Sequence, residues 1–389
     1  MGDLFDVDFS NEQLLSRQNY SMSRHNSTLD SVQFPAGFVG GLAGGGTMVV
    51  VAGLFDRFVA PVVVIVGLLS NLVALFVFSE RSMQRRSSSV YLAAISVAGI
   101  GFLACVMLSW TAHTSIDVYL LDGACKTLTY VTYVSSFLGV WYVVGFTVER
   151  FVAVHYPLRR LSLCTAVKAR RTVIGLAAFA CAAYGYGAWT SGVTELWPGG
   201  GRICAPLRRY AAALSAVHVV DTFLTLLLPF VIISLLNVRI VVTVFRQNRA
   251  RQAIATHFPP PRPAVRRCSP VALGRGHERL PLHRYVRDHV GRRRSRYDQF
   301  RVTKLLLTVS LAFLALNLPR HATRAYALIL SSDRHHRPSL TLLACEKLFN
   351  VVYYAHFAVN IVLYATLGGK KFRSALLRRY RAFCRCAAD

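Results

Sequence analysis

Long apolar runs separated by short polar or basic segments dominate the pattern along this chain. Each run approaches or exceeds the roughly 20 residues that an α-helix needs to cross the hydrocarbon core of a bilayer. The fourth run is rich in alanine and glycine, and no internal repeat is evident. The runs predict seven membrane-spanning helices, at about residues 56–79, 88–111, 123–149, 171–190, 212–240, 303–330 and 343–367.

The predicted fold is an all-α membrane protein, a seven-transmembrane helix bundle with a short membrane-surface helix after the seventh span. Residues 1–55 are expected to form an extracellular segment; they contain no removable signal peptide, because residues 1–34 are polar and mixed in charge. The bundle covers 56–367, and its basic, proline-rich cytosolic loop at about 246–300 is predicted to be disordered. Residues 368–389 should form an amphipathic helix and a short cytosolic tail.

Composition agrees with this class of protein, because 54% of the residues are hydrophobic and only 16% are charged. Of the 45 lysines and arginines, 32 lie in alternate connections and in the tail: 81–86, 150–171, 246–304 and 370–385. The positive-inside rule makes those segments cytosolic, so with seven spans the N-terminus is outside, as in a multi-pass plasma-membrane protein. The net charge of +27 then matches anionic inner-leaflet lipid rather than nucleic acid.

Two kinds of residue agree with this orientation. Asn19 and Asn26 begin Asn-x-Ser/Thr glycosylation motifs in the segment predicted to be extracellular. Cys125 and Cys204 lie at the outer ends of predicted segments, where a disulfide can join them and hold the loop 191–211 against the third span.

Two further cysteines follow the basic amphipathic stretch that runs from Phe372 to Phe383. Cys384 and Cys386 are candidates for palmitoylation if this stretch lies on the inner membrane surface. The alternative is that both remain unmodified cytosolic thiols.

The third apolar run ends in the acid–arginine pair Glu149-Arg150. Arg150 follows Cys125 by 25 residues, about 37 Å of helix, so the two residues should lie at opposite membrane faces. A carboxylate can hold the guanidinium and release it when a neighbouring helix moves, which predicts a two-state switch. The alternative is that the pair only caps the span by extending its charges to the interface.

Several sequence motifs, in their order along the chain, resemble those of a known protein family. The chain resembles rhodopsin-like, class A G-protein-coupled receptors, on Asn71, Cys125, Glu149-Arg150-Phe151, Cys204, Pro229, Phe313 with Pro319, and Asn360 to Tyr364. Asn317-Leu318-Pro319 and the segment after Tyr364 are most similar to FMRFamide-type neuropeptide receptors.

The resemblance implies a mechanism and a partner. Pro319 should kink the sixth span so that its cytosolic half swings outward and opens a cavity for a heterotrimeric G protein. Arg150 would form the floor of that cavity, and Tyr364, close to Asn360, would turn inward to support the open form.

The chain also departs from the family. Gly99 stands where most members carry the aspartate that holds a sodium ion. Asn317, Asn237 and Ile361 replace a tryptophan, a tyrosine and a proline of the family's switch regions. The altered interior therefore leaves open a non-signalling or decoy seven-helix binding protein.

The ligand class is narrowed by exclusion. Thr132 stands where amine receptors place an aspartate, and Tyr354 stands where light receptors place the retinal-binding lysine. Ionisable residues inside a membrane default to function because they are costly there. We expect the ionisable residues of the spans, together with the neighbouring Thr132 and Tyr133, to bind an extracellular peptide through its C-terminus. The full candidate set is Thr132, Tyr133, His218, Asp221, Arg320, Arg324 and Glu346.

The alternative for the charged members of this set is structural. Arg320 or Arg324 can pair with Asp221 or Glu346 to lock the bundle. A transporter is a weaker alternative, since it would more often show internal repeats. We see no catalytic constellation, no metal-binding cluster and no cofactor motif in the sequence, so an enzyme is not expected.

Overall fold

The computed structural model describes residues 46–111, 120–195, 202–257, 304, 307–327, 339–367 and 369–386, and nearly all of them are helical. Helices suit apolar runs of this length because each backbone N–H and C=O finds a partner within its own segment, which lipid cannot supply. Asn19, Asn26 and most of the predicted basic loop lie outside the described residues.

Five helices in the described part are long and apolar enough to cross a membrane. The predicted sixth and seventh spans are also helical, at residues 307–327 and at Leu340–Leu367, called the sixth and seventh helices below. All seven predicted apolar runs therefore coincide with helices. The first to fifth helices are Met48–Phe78, Ser87–Trp110, Asp122–His155, Ala166–Thr190 and Ala213–Gln247.

Irregular turns interrupt or flank several of these helices. The helical segments, in order, are Gly46–Leu54, the π-helical turn Phe55–Val59, Ala60–Phe78, Arg81–Gln84, Ser87–Trp110, Asp122–His155, Arg160–Leu163, Ala166–Ala183, Tyr186–Thr190, the 3-10 turn Arg208–Tyr210, Ala211–Thr222, the π-helical turn Phe223–Leu227, Leu228–His257, residues 307–327, Leu340–Leu367 and the C-terminal helix Gly369–Cys386.

Two helix ends differ most from the predicted boundaries. The chain is already helical at Gly46, before the predicted start at residue 56, because the apolar segment before Asp56 continues the helix past this charged residue. The fifth helix continues to His257, well into the segment predicted as a loop from about 246. Its last turns contain arginine, glutamine and alanine, which are good helix formers once the chain has left the bilayer.

A two-stranded antiparallel sheet covers the N-terminal end of the third helix. Strand β1 (Ser191–Glu195) pairs with strand β2 (Arg202–Pro206), with Val193 opposite Cys204. Cys204 forms a disulfide with Cys125, and the Cα atoms of the pair are 5.5 Å apart. The predicted disulfide is therefore confirmed, and it fixes β2 to the third helix.

Asn71 of the first helix connects this helix to the seventh. Its side-chain amide Nδ2 donates to the carbonyl oxygen of Phe357 at 3.1 Å and to that of Gly67 at 2.8 Å. Phe357 is only 1% exposed and stacks on Phe102 of the second helix, with ring centroids 5.0 Å apart. The first, second and seventh helices thus share one packed core.

A hydrogen bond from Trp141 stabilises an irregular turn of the fifth helix. In the π-helical turn Phe223–Leu227, the N–H of Leu228 donates to the carbonyl of Phe223, five residues earlier. The next bond of this kind, to Leu224, would need an N–H from Pro229, and proline has none. The indole N–H of Trp141 on the third helix donates to the Leu224 carbonyl instead, at 3.1 Å.

We predict that Trp141→Phe destabilises the folded protein, because the Leu224 carbonyl loses this donor where no water replaces it. The expected loss is about 1–3 kcal/mol, measured by thermal or chemical unfolding in detergent. Trp189→Phe is the matched control, since Trp189 is 77% exposed on the outer surface. Equal losses in both variants would contradict the assigned role of this bond.

The C-terminal helix lies against the C-terminal end of the first helix. Phe372 packs on Phe78, with ring centroids 5.6 Å apart. The guanidinium of Arg378 donates to both carboxylate oxygens of Glu80, at 2.9 and 3.1 Å. These bonds lower the pKa of Glu80, so their stabilisation is present above the ordinary glutamate pKa and is lost as pH falls through the lowered pKa.

This helix remains the predicted membrane-surface element. Leu377 and Tyr380 are 54% and 63% exposed between arginines, as expected of a helix that lies in the lipid interface. Cys384 and Cys386 fall within its last turn, and their side chains are outside the described part. Palmitoylation and binding of anionic lipid stay predictions.

Candidate ligand cavity and the Glu149–Arg150 pair

A narrow cavity, with about 10 Å³ of space that a water-sized molecule can reach, lies between the third, fifth, sixth and seventh helices. Its walls carry charged, hydroxyl and aromatic groups, which are costly to bury among apolar helices without a partner. The lining residues are Tyr133, Ser136, Val140, Asp221, Thr225, Arg320, His321, Arg324 and Tyr353.

An ion pair crosses one side of the cavity. The Arg324 guanidinium on the sixth helix lies 3.5 Å from Oδ2 of Asp221 on the fifth, and both side chains are less than 10% exposed. The hydroxyl of Tyr184 donates to the other oxygen of Asp221, at 2.6 Å. This network joins the fourth, fifth and sixth helices through a single carboxylate.

Arg320 lies one helical turn before Arg324 and is held by neutral groups. Its Nε donates to Oδ1 of Asn350 at 2.6 Å, and its guanidinium carbon lies 4.3 Å from the ring centroid of Tyr353. Glu346 is near enough to act electrostatically on this guanidinium. The lining residues therefore contribute two guanidiniums and one carboxylate.

Only some of the predicted ligand-binding residues lie at the cavity. Tyr133, Asp221, Arg320 and Arg324 all line the cavity, and Glu346 lies beside it on the seventh helix; the lining residues do not include Thr132 or His218. The Thr132 hydroxyl is within hydrogen-bonding range of the Cys105 thiol on the second helix. His218 is buried on the fifth helix, one turn before Thr222, whose hydroxyl donates to the His218 carbonyl.

The sequence reasoning missed several polar members of the site. Tyr184 and Tyr186 stack around Tyr133, with ring centroids about 6 Å apart, and the Tyr353 hydroxyl lies 3.0 Å from that of Ser136. A tyrosine among apolar residues gives no signal of the face it occupies. In the sequence, only the ionisable residues Asp221 and Arg320, which are rare inside apolar runs, pointed to this region.

Near the C-terminal end of the third helix, Glu149 binds two groups. Its Oε1 accepts a bond from Arg150 at 3.1 Å and one from the hydroxyl of Ser87, at the start of the second helix, at 2.8 Å. Arg150 is 5% exposed, and its guanidinium lies 5.4 Å from the ring centroid of Phe146. The pair is therefore buried and hydrogen-bonded to the second helix.

The structure describes the other residues of the predicted switch only in part. The side chain of Asn317 donates to the carbonyl of Phe313 at 2.6 Å, and Asn237 is buried with both amide atoms unpaired among the side chains that the structure describes. Pro319 lies inside the sixth helix. Asn360 and Tyr364 lie in the seventh, with side chains outside the described residues.

The structure shows which group lies beside Gly99, the residue that stands where most family members carry an aspartate. A Cβ atom at Gly99 would lie 3.0 Å from Oδ1 of Asn71, so the Asn71 amide occupies the space next to the missing carboxylate. The Ser96 hydroxyl donates to its own helix, at the carbonyl of Leu92, 3.0 Å away. A hard cation here would lack the anionic ligand it needs.

We predict that agonist affinity does not change when sodium replaces choline at constant ionic strength, because this region offers sodium no carboxylate. Competition binding on membranes measures it. A sodium-dependent shift that disappears in Asn360 or Ser96 variants would contradict the prediction.

Comparison with known proteins agrees with this architecture. The family model for the 7 transmembrane receptor (rhodopsin family) matches residues 70–364, so the chain belongs to that family of G-protein-coupled receptors.

Individual relatives are distant. Proteinase-activated receptor 1 of Xenopus laevis is 31% identical over 109 residues, 28% of this chain and 26% of that receptor. The thyrotropin-releasing hormone receptor of Gallus gallus is 26% identical over 29% of each chain. A galanin-like G-protein coupled receptor of Caenorhabditis elegans is 25% identical over 32% of this chain and 28% of its own. The chain spans only about a quarter to a third of these relatives, and the FMRFamide-type subfamily stays a prediction.

Proposed function

We propose that this protein is a cell-surface receptor that binds an extracellular peptide, with a neuropeptide as the best candidate, and activates a heterotrimeric G protein. The N-terminus would be extracellular, and the sixth helix would move outward at its cytosolic end, with Pro319 as the bend.

The excess of positive over negative groups in the cavity supports the proposed class of ligand. Arg320 is buried against Asn350 and the Tyr353 ring, which are neutral, and Glu346 acts on its charge only through space, without a hydrogen bond to it. A peptide C-terminus reaching this arginine can supply a carboxylate or a carbonyl oxygen, and both accept charge-assisted hydrogen bonds. The names of the relatives include hormone and leukotriene receptors, so the site chemistry, not the names, supports the peptide.

The same cavity suggests how binding reaches the sixth helix. Arg320 and Arg324 lie on this helix, and Arg324 is tied to Asp221 on the fifth. A ligand that binds the arginines competes with that tie and shifts the equilibrium between two arrangements of the fifth and sixth helices. The shift is limited to the difference in the ligand's affinity for the two states.

A non-signalling binding protein is the second candidate. It is favoured by the buried Asn237, whose amide atoms find no partner among the described residues, and by the buried Asn317 in the sixth helix. Both residues replace larger side chains that are typical of the family's switch. A binding protein of this kind would retain the cavity but would not promote nucleotide exchange.

A peptide screen tests the proposal. Each peptide is applied with a free and with an amidated C-terminus to membranes that contain the chain and purified G proteins, and nucleotide exchange is measured. We expect at least one pair to evoke exchange, and we expect Arg320→Gln to weaken its potency. Saturable peptide binding without exchange for any G-protein subtype would favour the non-signalling candidate.

A further inference from the structure

The loop between the third and fourth helices contains Leu158-Arg159-Arg160-Leu161-Ser162-Leu163. Serine kinases that select basic substrates bind arginines two and three residues before the serine with carboxylates, and the residue after it in an apolar pocket. Arg159, Arg160 and Leu163 meet all three requirements around Ser162. None of these residues lines the ligand cavity, and Arg160 is near enough to Arg150 to act on it electrostatically.

The loop also presents this serine to solvent. Ser162 and Arg159 are exposed, and the neighbouring Leu161 is 87% exposed. The Ser162 hydroxyl makes one local bond, donating to the carbonyl of Arg159 at 2.9 Å. Its environment therefore leaves the oxygen accessible.

A kinase must extend the segment that it binds, and little structure opposes this here. Ser162 lies in the single helical turn Arg160–Leu163, closed by bonds from Leu163 and Cys164 to the carbonyls of Arg159 and Arg160, both 2.9 Å. An isolated exposed turn is marginally stable, because few bonds repay the cost of fixing its backbone.

Other serines that follow an arginine pair are less suitable. Ser88 lies in the first turn of the second helix, is partly buried, and is followed by the buried Ser89. Ser295 is followed by Arg296, which is charged, and Ser269 by Pro270, whose ring fixes φ and leaves no backbone N–H. Ser162 alone among these four combines the arginine pair with a following aliphatic residue that is not proline.

We propose that Ser162 is phosphorylated by an arginine-directed serine kinase. The Ser162 oxygen attacks the γ-phosphorus of magnesium-ATP, the bond from that phosphorus to the β,γ-bridging oxygen breaks, and ADP leaves with the electron pair. The hydroxyl proton passes to a carboxylate of the kinase. The product carries about two negative charges on the exposed loop.

The consequence of this charge rests on the proposed function. Leu158 and Leu161 are 92% and 87% exposed and form an apolar surface on the side that the proposed orientation makes cytosolic. A phosphate next to Leu161 makes burial of this surface against a G protein costly, because the charge would lose its hydration. Phosphorylation of Ser162 therefore reduces coupling.

The site is tested on the purified full-length chain in lipid nanodiscs, with the catalytic subunit of cyclic-AMP-dependent kinase and magnesium-ATP. Mass spectrometry follows the phosphate on each serine. We expect Ser162 to be modified at least about fivefold faster than Ser88, and Arg159→Gln to slow it by about tenfold or more, since one charge-assisted contact is lost. Ser88→Ala is the matched control and leaves the Ser162 rate unchanged.

Two results would overturn the assignment: phosphate on Ser269 or Ser295 with none on Ser162, or an Arg159→Gln chain modified at the normal rate. Coupling is measured separately, as nucleotide exchange before and after kinase treatment. A fall in wild type that is absent in Ser162→Ala supports the consequence, and an equal fall in both contradicts it. Modified Ser162 in a chain that never promotes exchange would refute the proposed function and leave the site intact.

Discussion

Arg150→Ala is expected to lower agonist-evoked nucleotide exchange by more than about tenfold while peptide binding persists. The guanidinium is buried near the C-terminal end of the third helix, bound to Glu149 and lying near the Phe146 ring. In the proposed mechanism it forms the floor of the G-protein cavity, about 15 Å of helix beyond Val140, which lines the ligand cavity. Exchange and radioligand binding on the same membranes measure the two effects.

Glu149→Gln is the matched control for this prediction. It removes the charge that holds Arg150 and keeps an oxygen that can accept from Ser87, so basal exchange should rise rather than fall. Ser87→Ala removes only the second restraint and should give a smaller rise. Normal exchange in Arg150→Ala would show that the pair caps the helix without acting as a switch.

Arg324→Gln is expected to reduce peptide potency by about 10- to 150-fold, the value of one hydrogen bond to a charged group of about 1.5–3 kcal/mol. It should also lower folding yield, because Asp221 would remain buried after losing its cationic partner. Potency in the exchange assay and the amount of folded receptor at the surface are measured together.

The double variant Arg324→Gln with Asp221→Asn separates these two effects. Both charges are then absent, and the new asparagine can still accept the hydrogen bond from Tyr184, so folding yield should largely recover. Potency should stay low if the peptide itself binds Arg324. Recovery of both quantities would show that the pair only locks the fifth helix to the sixth.

The predictable part of this structure follows from local chemistry. Seven apolar runs coincide with seven helices because hydrophobic length is a property of each segment alone. The pairing of Cys125 with Cys204 followed from their places at the outer ends of predicted segments. The helical segment from Gly46 to Phe55 was missed because Asp56 reads as a boundary, although a helix can carry a charge at the membrane surface.

In the candidate site, only the charged residues could be predicted from the sequence. Asp221, Arg320 and Arg324 stand out because ionisable residues are rare in apolar runs, and all three line the cavity. Tyr184, Asn350 and Tyr353 complete their hydrogen bonds and ring contacts, and nothing in the sequence distinguishes them from residues that face lipid. Thr132 was included from its position along the third helix and does not line the cavity.

The sequence by itself determined how many times the chain forms a helix long enough for a bilayer, and which rare charges those helices carry. Only the tertiary structure decided which groups meet: Trp141 with the carbonyl of Leu224, and Ser87 with Glu149. The physical reason is that both the lipid-facing and the buried faces of these helices are apolar, so hydrophobicity does not fix the rotation of a helix about its axis. That rotation is set by packing between helices, and it decides which polar groups become partners.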